Sequence, residues 1–307
     1  MAECLDSVFA QTLVDSEIIV VNDGSRDTAV LERVLSPYRE RIVYVRQENR
    51  GQAGARNSGI RLARAEYLAF LDSDDCWPPE YLSTQMQMFL DNPNLDLVYA
   101  DAILFGSGPV PRKTFMQTSA PPTTLEDLLS QGGQILPSGT LVKKHAIVEI
   151  GLFDETLRPQ GCEDLDMWMR LAGRGAKIAF QGKVLFLRRV HGNAATANQE
   201  KMVTSLLGVL TKVDRAQLSA AGLASLDKRL IKARGELGFM QWRKHLLEGN
   251  AAAAQEDLTA AHAFFRSRRL ALASLGLRLA PRVAIWSART FLRKSGGERS
   301  SRAHAGR

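Results

Sequence analysis

Phe70-Leu71-Asp72-Ser73-Asp74-Asp75 decides how this chain of 307 residues is read. Glu66-Tyr67-Leu68-Ala69-Phe70-Leu71 is a short apolar run that predicts a strand buried on both faces. Where the run stops, three carboxylates stand within four residues. On an extended or turning backbone Asp72 and Asp74 point to the same side, because side chains alternate with period two. Two hard oxygen donors at the end of a buried strand suit a divalent cation that also holds a phosphate. The plain alternative is a turn, since Asp and Ser are ordinary loop residues and Trp77-Pro78-Pro79 follows. The neighbouring sequence decides between the two.

Upstream, Cys4 to Thr12 has apolar residues at helical spacing. Glu17-Ile18-Ile19-Val20-Val21 reads as a central parallel strand, ended by the turn residues Asn22-Asp23-Gly24-Ser25. Ser25 or Asp27 is placed to cap a helix reaching about Leu35. Arg41 to Val45 is a further strand, and Gly51 to Gly59 opens a helix that runs through Ala65. This alternation predicts an α/β fold with a mostly parallel sheet and helices on both faces.

Downstream, the pattern predicts a helix over Pro78 to Leu90, a strand over Asp96 to Asp101 and a long surface loop over residues 106 to 124. A short helix near Thr124 to Ser130 and a strand near Gly139 to Val142 follow. Gly161 to Leu171 opens a helix with acidic residues in its first turn, after the loop Arg158-Pro159-Gln160-Gly161. Ala176 to Phe180 and Val184 to Val190 read as two last strands, and beyond Asn198 the pattern is helical. The domain boundary falls near residue 200.

Apolar residues at 45% and charged residues at 24% are ordinary for a globular protein. Cys4, Cys76 and Cys162 are scattered without metal-ligand or redox spacing, which implies a reducing compartment and no disulfide framework. Glu3 and Asp6 near the start do not fit a signal peptide, and no run approaches the roughly 18 apolar residues of a spanning helix. The net charge of +7 is uneven, with arginines crowded towards the end.

Four stretches now stand in order: Ile18-Ile19-Val20-Val21-Asn22-Asp23-Gly24-Ser25, Gly54-Ala55-Arg56-Asn57-Ser58-Gly59, Phe70 to Asp75, and Gly151-Leu152-Phe153-Asp154 leading to Glu163-Asp164. Together they resemble the inverting family 2 glycosyltransferases of GT-A fold, which use sugar nucleotides; the resemblance covers about residues 3 to 195. It implies a GT-A catalytic domain over residues 1 to 200. Asp23 would then meet the nucleotide base, and Arg56 and Asn57 would lie beside the nucleotide. Asp72 would lie near the ribose, and Asp72 and Asp74 would hold Mg²⁺ or Mn²⁺ on the diphosphate. Asp164 would be the base that deprotonates the acceptor hydroxyl, and His191 a third metal ligand.

Read unaided, the same residues have plainer roles. Asp23 could help to cap the next helix, Arg56 could be a solvated surface arginine, and Glu163-Asp164 could be an acidic first turn favoured by the helix dipole. The resemblance also implies an apolar strand ahead of the first helix, for which this chain offers no residues. That predicts a sheet and nucleotide pocket incomplete at one place.

From Leu230 to Leu247 and Ala251 to Phe265 the residues predict paired helices within a helical extension over 201 to 265. Arg266 to Lys294 interleaves leucines with arginines, the composition of a helix lying on an anionic membrane surface; the plainer reading is a solvated helix packed on the protein. The basic amphipathic tail spans 266 to 307, and its end from Ser295 reads as disordered. These features predict a hexosyltransferase-type enzyme that moves a sugar from a nucleoside diphosphate to a saccharide or lipid-linked acceptor in surface polysaccharide or glycolipid synthesis. Its predicted location is cytoplasmic, peripheral on the inner face of the plasma membrane. A second reading is a nucleotide-binding or scaffold protein of the same fold, impaired in catalysis. Nucleic acid is not an expected partner, because the tail lacks interleaved stacking aromatics.

Overall fold

The β-branched run becomes strand β1 (Ile19–Asp23), between helices α1 (Ala2–Phe9) and α2 (Thr28–Leu35). The computed structural model describes residues 1–106, 121–131, 135–157, 161–190, 198–287 and 290. Leu5 of α1, Val20 of β1 and Leu35 of α2 close a small core. Gly24 turns the chain after β1 at φ +69°, and a Cβ there would stand 2.9 Å from the Asn49 nitrogen, so both backbone and space require glycine. Asp27 occupies the cap position of α2 without a side-chain bond, while the Ser25 N–H donates to Asn22 Oδ1 at 2.9 Å.

Strand β2 (Val43–Gln47) runs parallel to β1, with Ile19 opposite Val43 and Asp23 opposite Gln47. Helix α3 (Gly51–Leu62) and the short strand β3 (Tyr67–Ala69) follow, then α4 (Tyr81–Asp91) and β4 (Leu97–Gly106). Further on come α5 (Leu125–Gln131), β5 (Thr140–Lys143), α6 (Lys144–Glu149), α7 (Glu163–Gly173) and β6 (Ile178–Val190). A second sheet has the order β3-β5-β4-β6. Its long ladder, β4 with β6, is parallel; the short pairings of β5 with β3 and with β4 are antiparallel. Leu97 to Ala102 of β4 are buried in succession, as a central strand requires.

Three local expectations are corrected. The two runs Ala176 to Phe180 and Val184 to Val190 belong to one strand, because β4 is long enough to pair with both; the register shifts where Tyr99 faces Phe180 and Asp101 faces Val184. The strand before the aspartates is only partly buried at Tyr67 and Ala69, because β3 stands at a sheet edge with one neighbour. Helix α6 was not anticipated from the sequence. Among the described residues, β1 pairs only with β2 and β3 only with β5, so each keeps a second edge without a strand. Most of the 106 to 124 loop, the stretch 158 to 160, His191 and the tail from 291 lie outside the described residues.

The chain divides into two compact units, residues 1–198 with 212–225 and residues 199–211 with 226–307. The second is helical: α8 (Gln199–Lys212), α9 (Ala220–Glu248), α10 (Ala251–Phe265) and α11 (Arg268–Leu279), with unit boundaries inside α8 and α9. The paired helices expected from Leu230 are α9 and α10, turned at Gly249-Asn250, where Asn250 caps α10 by accepting from the Ala253 N–H at 3.1 Å. Leu246, Leu258, Leu270 and Leu277 share its core.

Helices α9 and α10 approach closely because α9 carries glycines. A Cβ on Gly238 would stand 2.4 Å from the Asp257 carbonyl oxygen, and one on Gly235 the same distance from Phe264 Cβ. Gly238→Ala should therefore lower stability by about 1–3 kcal/mol despite the better helix propensity of alanine. Thermal unfolding followed by circular dichroism checks this, and an unchanged midpoint would show that the crossing has room.

Candidate functional site

Asp72 to Asp75 form a tight turn after β3, closed by the Asp75 N–H donating to the Asp72 carbonyl at 3.0 Å. Neighbouring elements hold it from several directions. The Asp72 N–H donates to Ser138 Oγ at 3.1 Å, and the Trp77 indole donates to the Ser138 carbonyl at 2.6 Å. From the end of β6, Arg189 donates its backbone N–H to Asp75 Oδ1 and its Nε to the Asp74 carbonyl, both at 2.9 Å, and also pairs with Glu3. Cys76 and Leu187 exchange both backbone hydrogen bonds, at 3.1 and 2.8 Å. Burial pushes the Asp75 carboxyl up to about 6. Asp75 is an internal strut, whereas Asp72 and Asp74 remain partly exposed on the turn.

Arg56 comes from the middle of α3. Its Nη2 reaches Asp72 Oδ1 at 3.0 Å, its Nη1 reaches Glu163 Oε1 at 2.9 Å, and the guanidinium carbon lies 5.5 Å from the centre of the Phe153 ring. Burial works against its charge, but Asp72, Glu163 and Asp164 outweigh it and raise its pKa above the usual value. Arg56 is thus no solvated surface arginine.

Glu163 and Asp164 open α7, where the helix dipole favours acidic side chains. Glu163 is buried, and its Oε2 has no hydrogen-bond partner. Asp164 Oδ1 accepts from the Leu165 N–H at 2.8 Å. Burial first, and then the neighbouring Glu163 charge, push the Asp164 carboxyl up to about 6, against the opposing pull of Arg56. A carboxyl so placed accepts a proton near neutral pH more readily than an exposed aspartate would. Asp72 and Glu163 therefore share one guanidinium, and Asp164, next to Glu163, adds to the field on it.

Asp23 lies at the carboxyl end of β1, and its Oδ1 accepts from Gln47 Nε2 at 2.7 Å and from the Arg50 N–H at 2.8 Å. Arg50 is the cap residue of α3, so Asp23 serves α3 rather than the helix that follows it. Asn57 is buried at 2% exposure. Its Nδ2 donates to the Phe153 carbonyl and to Glu155 Oε1, and its Oδ1 accepts from the Phe153 N–H, all at 2.9 Å. It fastens the loop around Phe153 to α3. Arg170 holds the other side of that loop, donating to the Ile150 and Leu152 carbonyls at 2.7 and 2.8 Å.

A cleft of about 410 Å³ opens beside this loop, with Arg61, Asp154, Glu155 and Arg170 in its walls. Neither Asp72, Asp74 nor Asp164 lines it. Among the described residues no three ligating side chains converge on one point. Asp72 and Asp74 form a two-carboxylate donor set, which fits a cation that takes its other ligands from water and a diphosphate. His191 lies outside the described residues. Arg189, Asp75 and Ser138 were not legible as parts of the site, although the Arg188-Arg189 pair at a strand end was a signal.

Residues 1–140 match the family model described as glycosyl transferase family 2. An uncharacterized glycosyltransferase of Rickettsia typhi is 32% identical over 232 residues, which cover 71% of this chain and 70% of that protein. One from Rickettsia felis is 32% identical over 195 residues, covering 62% of this chain; the match spans only 32% of that protein's length. Among solved structures, Staphylococcus aureus TarS 1-349 in complex with UDP-GlcNAc superposes with a TM-score of 0.60 at 18% identity, over 95% of this chain and 87% of that one. The mannosyltransferase PcManGT of Pyrobaculum calidifontis, in complex with GDP-Man and Mn²⁺, has a TM-score of 0.53 at 20% identity, over 94% and 78%. At these identities the likeness to the solved structures is one of fold.

Asn57→Ala would leave the Phe153 N–H and carbonyl without their partners. The expected loss of stability is about 2–3 kcal/mol, measured as a lower midpoint in urea unfolding. A loss below about 0.5 kcal/mol would mean that the loop is held without Asn57.

Proposed function

The chain belongs to glycosyl transferase family 2 and has the GT-A fold, and from that premise we propose that it is a metal-dependent inverting hexosyltransferase. The observation that carries this reading is that Arg56, a buried cation, joins Asp72 of the turn to Glu163, the residue beside Asp164 in the first turn of α7. The donor is a nucleoside-diphosphate sugar, and the complexes of the two structural neighbours with UDP-GlcNAc and GDP-Man support that class. The acceptor is a saccharide or lipid-linked hydroxyl in surface polysaccharide or glycolipid synthesis.

In the proposed reaction, the acceptor oxygen attacks the anomeric carbon from the face opposite the nucleotide. The bond from that carbon to the diphosphate oxygen breaks, and its electron pair leaves with the nucleoside diphosphate. The hydroxyl proton passes to the Asp164 carboxylate. Asp23 and Asp72 flank the nucleotide. Asp72 and Asp74, with His191, would hold Mg²⁺ or Mn²⁺, which when bound neutralises charge developing on the departing diphosphate. The clamp on the turn keeps the two carboxylates in place before substrate arrives.

The test is a screen of UDP- and GDP-sugars with Mn²⁺, read as nucleoside diphosphate release. Asp164→Asn should lower kcat by about 10²- to 10⁴-fold and leave donor affinity nearly unchanged. Asp74→Ala should abolish Mn²⁺-dependent nucleotide binding in calorimetry. Asp164 must be ionised to act, and its carboxyl is pushed up to about 6, so kcat/KM should fall as pH drops through about 6. Nucleotide binding without turnover of any donor would favour the second reading, a scaffold of the same fold.

We also propose that the helical unit rests peripherally on the inner face of the plasma membrane. No helix among the described residues is long and apolar enough to cross a membrane. Helix α11 is apolar on two sides. Leu270 and Leu277 face the unit's core, while Leu272, Leu275 and Leu279 are 68%, 52% and 77% exposed. Val283 and Trp286 extend the exposed apolar set. Residues 258 to 297 contain eight basic and no acidic residues, which suits an anionic cytoplasmic leaflet. The full chain should bind phosphatidylserine vesicles in a salt-sensitive manner, and replacing Leu272, Leu275 and Leu279 together with Ser should weaken binding about tenfold or more. Equal sedimentation of both proteins would reject the surface.

A further inference from the structure

We propose that the donor carries a base with a single imide N–H, uracil or thymine. Gln47 and Ser58 set this choice by occupying one oxygen of Asp23. The choice narrows the transferase reading above, on which it rests and in which Asp23 meets the nucleotide base.

The two oxygens of Asp23 are not equivalent. Oδ1 accepts from Gln47 Nε2 at 2.7 Å and from the Arg50 N–H at 2.8 Å, which fills both lone pairs of that oxygen. Among the described residues no hydrogen bond reaches Oδ2, and Asp23 is partly exposed at the carboxyl end of β1.

This inequality is built in from two elements. Gln47 lies opposite Asp23 in the ladder of β1 and β2, and its Oε1 accepts from Ser58 Oγ of α3 at 2.5 Å. With the amide oxygen held by Ser58, the amide nitrogen is the end that meets Asp23. Arg50 is the cap residue of α3, and the chain just before it presses on the turn after β1, where Gly24 leaves no room for a Cβ. Asp23 thus offers one open acceptor oxygen. Beside it, the second N–H of Gln47 Nε2 makes no hydrogen bond among the described residues.

The bases differ in what they show to such a site. Uracil and thymine have one N–H at the centre of the pairing edge and a carbonyl on each side. That N–H satisfies the open oxygen of Asp23, and a flanking carbonyl suits the spare Gln47 donor. Guanine has two adjacent N–H donors, which a carboxylate reads as a pair only with both oxygens open. With Oδ1 filled, its second donor loses water and gains no acceptor. Adenine and cytosine have a ring nitrogen at the centre of the edge, and its lone pair opposes a carboxylate.

The experiment uses the full-length chain and measures affinities for UDP, GDP, ADP, CDP and N3-methyl-UDP by calorimetry in Mn²⁺. Ribose, diphosphate and cation are common to all five, so differences report the base. UDP should bind about tenfold or more tighter than each of the others, the worth of one hydrogen bond to a charged group. Gln47→Leu frees a lone pair of Oδ1 and removes the spare donor, so the preference for UDP over GDP should fall to within about threefold. Ser58→Ala releases the Gln47 amide and should narrow the preference part of the way. A loss of packing alone weakens UDP and GDP alike and leaves their ratio unchanged.

GDP or N3-methyl-UDP bound by the parent as tightly as UDP overturns the proposal. So does an unchanged ratio of UDP to GDP in Gln47→Leu, or in Ser58→Ala should Gln47→Leu not fold. These results leave the transferase reading standing with another contact to the base. A chain that binds none of the five overturns both. A preference for UDP without turnover of any UDP-sugar upholds the base assignment and counts against the transferase reading.

Discussion

A buried guanidinium cannot stand alone, and much of the first unit is arranged to keep Arg56 from doing so. Of its two partners, Glu163 is the more consequential, because it is 5% exposed while Asp72 is 41% exposed and partly screened by water. Removing one partner from a buried pair typically costs about 3–5 kcal/mol, far more than the pair itself contributes over an apolar alternative. Such a pair adds little net stability but makes other arrangements of α3 and α7 unfavourable. Helix α3 connects all four motif stretches in this way: Asp23 meets its cap residue, Arg56 holds Asp72 and Glu163, and Asn57 holds Phe153. Stretches far apart in the sequence are thus brought together in space by one helix.

Three aspartates of the turn and one of α7 differ chiefly in surroundings. Asp75 is enclosed, raised by burial and bonded to the Arg189 backbone, so it supports the turn. Asp72 and Asp74 sit on the outer side of the same turn, where a ligand can reach them. Asp164 is desolvated like Asp75, but it lies beside a cation shared with Asp72, and that moderates its rise. Environment sorts chemically identical groups into an internal strut, two partly exposed carboxylates and one desolvated carboxyl beside a cation. The sorting relies on rigidity, since the turn is fastened by Ser138, just before β5, and by Arg189 and Leu187 of β6.

Local chemistry made much of this legible in the sequence. The end of β1, the span of α3, the acidic start of α7 and the place of Asp72 and Asp74 after a strand follow from periodicity and turn residues. What was not legible depends on distance along the chain. Arg56 and Glu163 are 107 residues apart, and Asn57 and Phe153 are 96 apart, so no local pattern reports either pair. The reading of Arg56 as a solvated arginine failed because a charged residue on a helix gives no sign of which elements will cover it. The same limit explains β6, where a break in the apolar pattern ends a strand only if the partner ends too, and β4 continues.

Charge follows the same division of labour. Residues 258 to 307 hold 11 of the 40 basic residues and one of the 33 acidic ones, so the first 257 residues carry a net charge of −3. In the first unit three arginines are spent internally: Arg56 on Asp72 and Glu163, Arg170 on Asp166 and two carbonyls, Arg189 on Glu3 and the aspartate turn. These three charges set geometry. The basic residues from Arg266 to Lys294 have no acidic residue among them in the sequence, and charge left uncompensated acts over the roughly 8 Å that physiological salt permits. On the membrane reading proposed for the helical unit, an anionic, apolar boundary would satisfy both the basic sequence and the exposed Leu272, Leu275 and Leu279, whereas water satisfies only the charge.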